Sequence, residues 1–160
     1  MGQIKNKNIL SLIMLFSFFA ISTAYFIQYV LNHEPCSLCF VERIPYLLSI
    51  PLIILTIVLK KFEKTTLLLL SLLFIFGTIV SFYHFGIERG FFTESLICNL
   101  ETNDTNLSRT DLLKQLKQTT VSCKDITFKI FGLSLATINT IISLILSVIT
   151  TKLFFNYEKN

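Results

Sequence analysis

Four cysteines are the residues of this chain best suited to chemistry, and they form two pairs of different spacing. Cys36 and Cys39 make a Cys-Ser-Leu-Cys motif, whereas Cys98 and Cys123 lie far apart in the sequence. A disulfide across a CxxC motif closes too small a loop to stabilise a fold much by chain entropy. The same motif lowers the pKa of one of its thiols in known redox proteins. The first pair therefore favours thiol–disulfide exchange.

Two other uses of the cysteines compete with redox chemistry. Two pairs of thiolates are the ligand set of a structural zinc site, although the interval from Cys98 to Cys123 is unusual for a second zinc knuckle. The four cysteines would alternatively form two static disulfides. Both alternatives stay open on the residues alone.

Arg43 lies four residues after Cys39, which places both side chains on one face of a helix. Pro35 precedes the motif and suits the entry to that helix, whose positive N-terminal end favours a thiolate. A guanidinium close to a thiolate is an arrangement suited to redox chemistry, and the guanidinium also donates hydrogen bonds to acceptor oxygens.

His84 is a second candidate, at the end of an apolar run, with Glu88 one helical turn further on. A histidine at a membrane edge is often a polar anchor, but an ionisable residue there is also a site candidate. Glu42 and Arg89 are expected to be solvated charges at the interface.

The elements that carry these residues follow from composition. The chain of 160 residues is 52% hydrophobic and only 15% charged, with a mean hydropathy of +0.68. A soluble domain carries about 25% charged residues, so this composition excludes an ordinary soluble domain as well as a disordered chain. The net charge of +4 falls in short clusters and forms no basic stripe, so we expect no nucleic acid partner.

The remaining class is an all-α integral membrane protein, a four-helix bundle with two outward loops that carry the cysteine pairs. A helix needs about 20 apolar residues to cross a bilayer. We predict a single membrane domain over 1–160, with outward loops at about 32–39 and 85–129. The predicted helices cover about 9–31, 40–59, 65–84 and 130–151.

Lysines set the orientation of this bundle. They are densest in 1–8, 60–66 and 151–160, which places both termini in the cytoplasm and all four cysteines on the opposite, oxidising side.

The N-terminal segment also resembles a cleaved signal peptide, because Lys5 and Lys7 precede an apolar run that reaches Ser22-Thr23-Ala24. The run continues to Leu31 and further spans follow, which disfavours cleavage.

Two weaker patterns concern packing and the second loop. Small residues that let helices approach closely are expected at Gly77, Gly132, Ser134 and Ala136. After Ser108, leucines recur at helical spacing beside Lys114 and Lys117, which fits either a short amphipathic helix on the membrane surface or a solvated turn.

Taken together, the residues resemble the disulfide bond formation protein B (DsbB) family over nearly the whole chain. In vitamin K epoxide reductase-like proteins the CxxC motif lies late in the bundle, whereas here it follows the first helix. The matching motifs are Pro35-Cys36-Ser37-Leu38-Cys39 with Glu42-Arg43, Tyr83-His84-Phe85-Gly86-Ile87-Glu88-Arg89-Gly90, Cys98, and Cys123 ahead of Gly132-Leu133-Ser134-Leu135-Ala136 and Asn139.

The resemblance implies roles for individual residues. Cys36 and Cys39 would be the quinone-facing pair, with Cys39 nearer the quinone. Arg43 would support quinone binding, and His84 falls near the quinone region of some members. The remaining pair, Cys98 and Cys123, would accept electrons from a partner oxidase.

The resemblance also implies the setting. The chain would be a protein-dithiol:quinone oxidoreductase of the bacterial inner membrane, with its cysteines in the periplasm and its cofactor drawn from the quinone pool of the bilayer. The quinone would be ubiquinone or menaquinone, and no metal is expected. The partner would be a periplasmic DsbA-like thiol oxidase, and the activity would sustain protein disulfide formation.

Overall fold

The computed structural model of the chain describes residues 6–33, 35–59, 62–93, 123, 129–130 and 132–158. Within these ranges the chain forms four long helices and one short hairpin. The helices are α1 (Lys7–Tyr29), α2 (Ser37–Leu59), α3 (Glu63–Glu88) and α4 (Leu135–Glu158), and the strands are β1 (Lys129–Ile130) and β2 (Leu133–Ser134). All four helices are long and apolar enough to cross a membrane. The predicted all-α membrane bundle is confirmed.

The helix ends differ from the predicted ones where the site lies. Helix α2 begins at Ser37 rather than at 40, so Cys39 lies in its first turn. Helix α3 continues past His84 to Glu88. Helix α4 begins at Leu135 rather than at 130, because the antiparallel hairpin occupies the residues before it. The predicted surface helix after Ser108 lies outside the described residues.

The core is apolar and every helix contributes to it. Helix α1 packs on α2, α2 on α3, and α3 on α4. The buried cluster is Leu10, Ile13, Tyr46, Ile53, Leu67, Leu70, Phe74 and Leu146. Large apolar side chains also cover the outside: Leu12 is 65% exposed and Val58 is 70% exposed. An outer surface of this kind suits lipid rather than water.

One of the predicted close approaches is at Gly77. A Cβ atom there would lie 3.1 Å from the Cγ atom of Pro45, so the glycine lets α3 pack tightly against the proline of α2. Gly132 has another role, because its φ of +82° is the left-handed conformation that the hairpin turn requires. Ser134 and Ala136 are buried, as close packing requires.

Hydroxyl pairs also connect the helices. In apolar surroundings such hydrogen bonds between helices contribute a modest stabilisation, about 0.6 kcal/mol on average. The oxygen–oxygen distances are 2.9 Å for Ser17 and Ser49, 2.5 Å for Thr56 and Thr66, and 2.6 Å for Ser71 and Thr151.

The end of α3 is closed by the chain folding back over Gly86. The backbone N–H groups of Phe91 and Phe92 donate to the carbonyl oxygen of Gly86, at 2.8 and 3.2 Å. The Phe92 ring lies directly over Gly86, where any side chain would collide with it. This turn fixes the end of α3, one helical turn beyond His84.

Candidate functional site

The CxxC pair lies at the start of α2. The Sγ atoms of Cys36 and Cys39 are 2.7 Å apart, and both residues are thiols. The backbone N–H of Cys39 also donates to the Cys36 sulfur, at 3.3 Å. Cys36 is buried and Cys39 is half-buried. The two sulfurs are thus held close enough to form and break a bond without rearrangement of the helix.

His84 contacts this pair from α3. Its Nε2 atom lies 3.5 Å from the Cys36 sulfur, and its Nδ1 atom lies 2.7 Å from Oε1 of Glu42. A carboxylate accepts hydrogen bonds, so Glu42 holds the proton on Nδ1 and turns Nε2 toward the sulfur. Glu88, one turn along α3, lies 3.9 Å from Nε2.

The prediction that Glu42 is a solvated interface charge was wrong. Its side chain is 9% exposed, and both carboxylate oxygens have protein partners. Helix α2 enters the bundle earlier than predicted, so that Glu42 faces α3 and α4 instead of water. Arg89 is exposed, as expected.

Helix α4 supplies the second partner of Glu42. The Nδ2 atom of Asn139 donates to Oε2 of Glu42 at 2.8 Å and to the Ser81 hydroxyl at 2.7 Å. The Tyr46 hydroxyl donates to Oδ1 of Asn139 at 2.7 Å and lies 3.0 Å from the Ser143 hydroxyl. A continuous set of hydrogen bonds therefore links α2, α3 and α4 to the CxxC pair.

These contacts lower the pKa of the Cys36 thiol to about 4, from an ordinary 9.0. The largest cause is the hydrogen bond from Cys39, which burial opposes, and His84 adds a hydrogen bond and a favourable charge. In the dithiol form these contacts therefore favour the thiolate of Cys36.

Arg43 is held by the first helix and by aromatic rings. Its Nη1 atom donates to Oε1 of Gln28 at 2.7 Å. Its guanidinium carbon lies 5.2 Å from the ring centre of Tyr25 and 5.1 Å from that of Phe40. Stacking of this kind fixes the orientation of the guanidinium.

A cavity of about 370 Å³ joins these groups. Its polar wall includes both cysteines of the CxxC pair, Arg43 and His84, and its apolar wall comes mainly from α1 and α4. The apolar lining includes Phe16, Phe19, Ala20, Ile27, Ile138 and Ile142.

Cys123 reaches the same place from the segment before the hairpin. It is disulfide-bonded, 2% exposed, and packed in one buried cluster with Cys36, Leu38 and Ile87. It also lines the cavity. Cys98 lies outside the described residues. The structure thus brings one member of the second pair next to the first pair.

The predicted alternative of four thiolate ligands does not fit this arrangement. A sulfur in a disulfide is not a thiolate, which removes Cys123 from the ligand set. Cys36, Cys39 and His84 do place their ligand atoms within 4.8 Å of one another. Two thiolates on a tetrahedral zinc, each about 2.3 Å from the metal, would lie roughly 3.8 Å apart. The 2.7 Å between the two sulfurs suits a sulfur–sulfur bond better.

Comparison with known proteins identifies the family. The model of the family described as "Disulfide bond formation protein DsbB" matches residues 6–153. The chain belongs to the DsbB family. The resemblance inferred from its motifs is confirmed, and so is a general role in disulfide bond formation. Four spans and family membership together make it a multi-pass membrane protein.

Two relatives illustrate the match. An uncharacterized protein of Rickettsia prowazekii (strain Madrid E) is 30% identical over 155 residues, which cover 95% of this chain and 90% of that protein. An SPbeta prophage-derived disulfide bond formation protein B of Bacillus subtilis (strain 168) is 32% identical over 97 residues. That alignment covers 61% of this chain and 64% of the relative.

Sequence reasoning missed the polar network of this DsbB family member. Glu42, Tyr46 and Asn139 stand in otherwise apolar helices, where an ionisable or amide side chain is costly unless it is paired. Their helical spacing is a usable signal: Tyr46 follows Glu42 by one turn, and Ser143 follows Asn139 by one turn.

Proposed function

We propose that this chain oxidises a reduced thioredoxin-fold partner and passes the electron pair to membrane quinone through its two cysteine pairs. The observation that carries the proposal is the cavity whose wall holds the CxxC pair, Arg43 and His84 together. A dithiol that opens onto an apolar cavity inside a membrane bundle is suited to a lipid-soluble oxidant rather than to an aqueous one.

The cavity fits a quinone ring by size and by chemistry. Pockets for small ligands begin at about 300 Å³ and are mostly apolar, with a few placed polar groups. Arg43 offers guanidinium N–H groups to a carbonyl oxygen, since its contact with Gln28 uses one of five. A bound quinone supplies an acceptor for two electrons and two protons.

Electron flow begins at the second pair. A thiolate of the partner attacks the disulfide that we assign to Cys98 and Cys123, and a mixed disulfide forms between the partner and Cys98. Cys123 leaves as a thiolate, and the second thiol of the partner then closes the partner's own disulfide.

The next exchange is between the two pairs. Cys123 is packed against Cys36 in one buried cluster, so its thiolate is placed to attack a disulfide at Cys36 and to displace Cys39. The partner's electron pair then resides on the CxxC cysteines once Cys98 displaces Cys36 from Cys123. Burial of Cys123 keeps this exchange away from other thiols in solution.

His84 manages the proton of the CxxC pair. Its Nε2 atom accepts the Cys36 proton while Glu42 holds the proton on Nδ1. When the Cys36–Cys39 bond re-forms, the two thiols release two electrons and two protons, which balances the reduction of one quinone to its quinol.

The energetics favour this direction. A DsbA-like partner has a reduction potential of about −120 mV, so it is already a strong oxidant. The disulfide of an ordinary thiol pair would not reoxidise it, and a more oxidising acceptor is needed.

We place the chain in the bacterial inner membrane with both termini in the cytoplasm and the cysteines in the periplasm. The lysine distribution supports that orientation.

The test is quinone reduction by purified protein supplied with a reduced thioredoxin-fold oxidase and a soluble ubiquinone or menaquinone analogue. Cys39→Ser should abolish the loss of quinone absorbance, because no disulfide can form at the CxxC pair. The neighbouring Ser37→Ala variant is the matched control and should turn over normally. Normal turnover by Cys39→Ser, or no turnover by the parent protein with either quinone, would overturn the proposal.

A further inference from the structure

Helix α4 contributes an amide whose orientation is fixed from three sides. The Tyr46 hydroxyl has a donor proton for Oδ1 of Asn139, which leaves Nδ2 as the donor toward Glu42 and Ser81. An amide reversed about its axis would set its oxygen against a carboxylate oxygen, with no proton between them. The orientation of Asn139 is therefore determined by its partners.

This amide completes the hydrogen bonding of a buried carboxylate. Glu42 uses Oε1 for His84 and Oε2 for Asn139, at 2.7 and 2.8 Å. A buried carboxylate with a free oxygen pays a large desolvation cost and turns toward any available donor. With Asn139 in place, each oxygen of Glu42 already accepts a hydrogen bond, so the carboxylate keeps its hydrogen bond with His84.

We propose that Asn139 is a positioning residue that holds Glu42, and through it His84, against the Cys36 sulfur. Its amide bonds to Glu42, Ser81 and Tyr46, and its effect on the dithiol passes through Glu42 and His84. The inference deepens the proposed redox function and rests on the same CxxC pair. It adds that α4, which follows Cys123 and the hairpin in the chain, sets the reactivity of a thiol immediately before α2.

Other ionisable groups near Cys36 set the background for this effect. Among the described residues, helix α4 lines the cavity with uncharged side chains. The titratable or charged groups around the same cavity are His33, Cys39, Glu42, Arg43, His84 and Glu88, whereas Cys123, which is disulfide-bonded, does not titrate. Asn139→Leu therefore acts on Cys36 through the orientation of these groups and adds no charge of its own.

The test measures the thiolate of Cys36 directly, without quinone or partner. In a Cys98→Ser/Cys123→Ser background, the reduced protein is treated with iodoacetamide from pH 3 to 10, and the first modification at Cys36 is followed by fragment-ion mass spectrometry. Asn139→Leu keeps the side-chain volume and removes the amide. We expect the midpoint of Cys36 alkylation to rise by about one pH unit, which is a tenfold lower rate below the midpoint.

Two further variants separate positioning from folding. Asn139→Asp keeps an acceptor for Tyr46 but sets a carboxylate against Glu42, and it should raise the midpoint at least as far as Asn139→Leu. Thr140→Val is the matched control, because the Thr140 hydroxyl bonds only to the Ala136 carbonyl of its own helix among its described contacts, at 2.8 Å. It should titrate like the parent.

Coincident titration curves for Asn139→Leu and the parent would overturn the inference, even if the parent reduces quinone. If the Leu variant does not fold, Tyr46→Phe provides the measurement: it frees the amide to turn and should raise the midpoint in the same direction. A parent that fails to reduce quinone while Asn139→Leu still raises the midpoint would refute the proposed function and leave the positioning role standing.

Discussion

Two sets of polar side chains lie between the apolar helices, and they differ in whether their members titrate. Around the CxxC pair, Glu42 and His84 are ionisable and are connected to Cys36. Nearer the opposite end, the hydroxyl pairs of Ser17 with Ser49 and of Thr56 with Thr66 contain no group that ionises near neutral pH. Both sets satisfy hydrogen bonds inside the bundle, but only the first is able to store and release a proton. Burial of polar groups alone is therefore a poor guide to function.

The largest expected effect is at His84. His84→Gln keeps a hydrogen-bonding side chain but removes the base, and kcat for quinone reduction should fall by about 100-fold, the lower end of what a general base contributes. The matched control is Arg89→Gln, which removes an exposed charge immediately after the end of α3. An unchanged kcat for His84→Gln would show that the histidine has only a structural role, like the hydroxyl pairs.

The same variant has a pH signature. The folded pKa of Cys36, about 4, lies below the ordinary 9.0 of a thiol. Thiolate reactivity in the parent should thus persist as the pH falls from 9 and be lost only near 4. In His84→Gln the loss should begin at a higher pH, since one hydrogen bond and one charge that favour the thiolate are gone. Iodoacetamide rates on the reduced protein measure this; identical profiles would contradict the assignment.

A smaller effect is expected on replacing Arg43. Its replacement should change the binding of quinone, whereas replacement of His84 should change proton transfer. Arg43→Lys keeps the charge but loses the planar group held between Tyr25 and Phe40. The KM for a quinone analogue should rise about tenfold, the effect of losing a charge-assisted hydrogen bond of roughly 1.5 kcal/mol. The rate of disulfide exchange with the partner should not change. Tyr25→Phe, which keeps the ring, is the control; a KM unchanged in Arg43→Lys would remove the arginine from the quinone site.

The smallest effect is expected at the hydroxyl pairs. Ser49→Ala removes the bond to Ser17 and should lower the free energy of unfolding by only about 0.6 kcal/mol, the mean for hydrogen bonds between membrane helices. The pH profile and kcat should match those of the parent. Thermal unfolding in detergent and quinone turnover measure the two quantities. A shifted pH profile would show that the two polar sets are coupled after all.

Much of this architecture was predictable from the sequence because apolar runs long enough to span a bilayer are a strong one-dimensional signal. The CxxC motif and its place after the first helix were equally local. Glu42 was misjudged because its neighbour Arg43 and its position near a helix end suggested water. Only the packing of α3 and α4 on α2 shows that it is buried.

The hairpin before α4 was missed for a related reason. Residues 130–134 continue an apolar run, and hydrophobicity alone does not separate a short strand from the first turn of a helix. Gly132 was the available signal, since its left-handed backbone marks a turn. Pairs between helices, such as Asn139 with Glu42, depend on helix rotation, which no local pattern specifies.

The contact between His84 and the Cys36 sulfur has a consequence for the electrical cost of turnover. When the sulfur–sulfur bond forms, Cys36 loses its negative charge, and the imidazole loses the anion that faced it. If two protons leave with the electron pair, one from the imidazole and one from the Cys39 thiol, the net charge within this end of the bundle is the same in the dithiol and the disulfide forms. Moving one charge through the full membrane field costs about 2.3 kcal/mol per 100 mV. An electroneutral cycle avoids that term, so disulfide formation would proceed at the same rate in an energised and a de-energised cell.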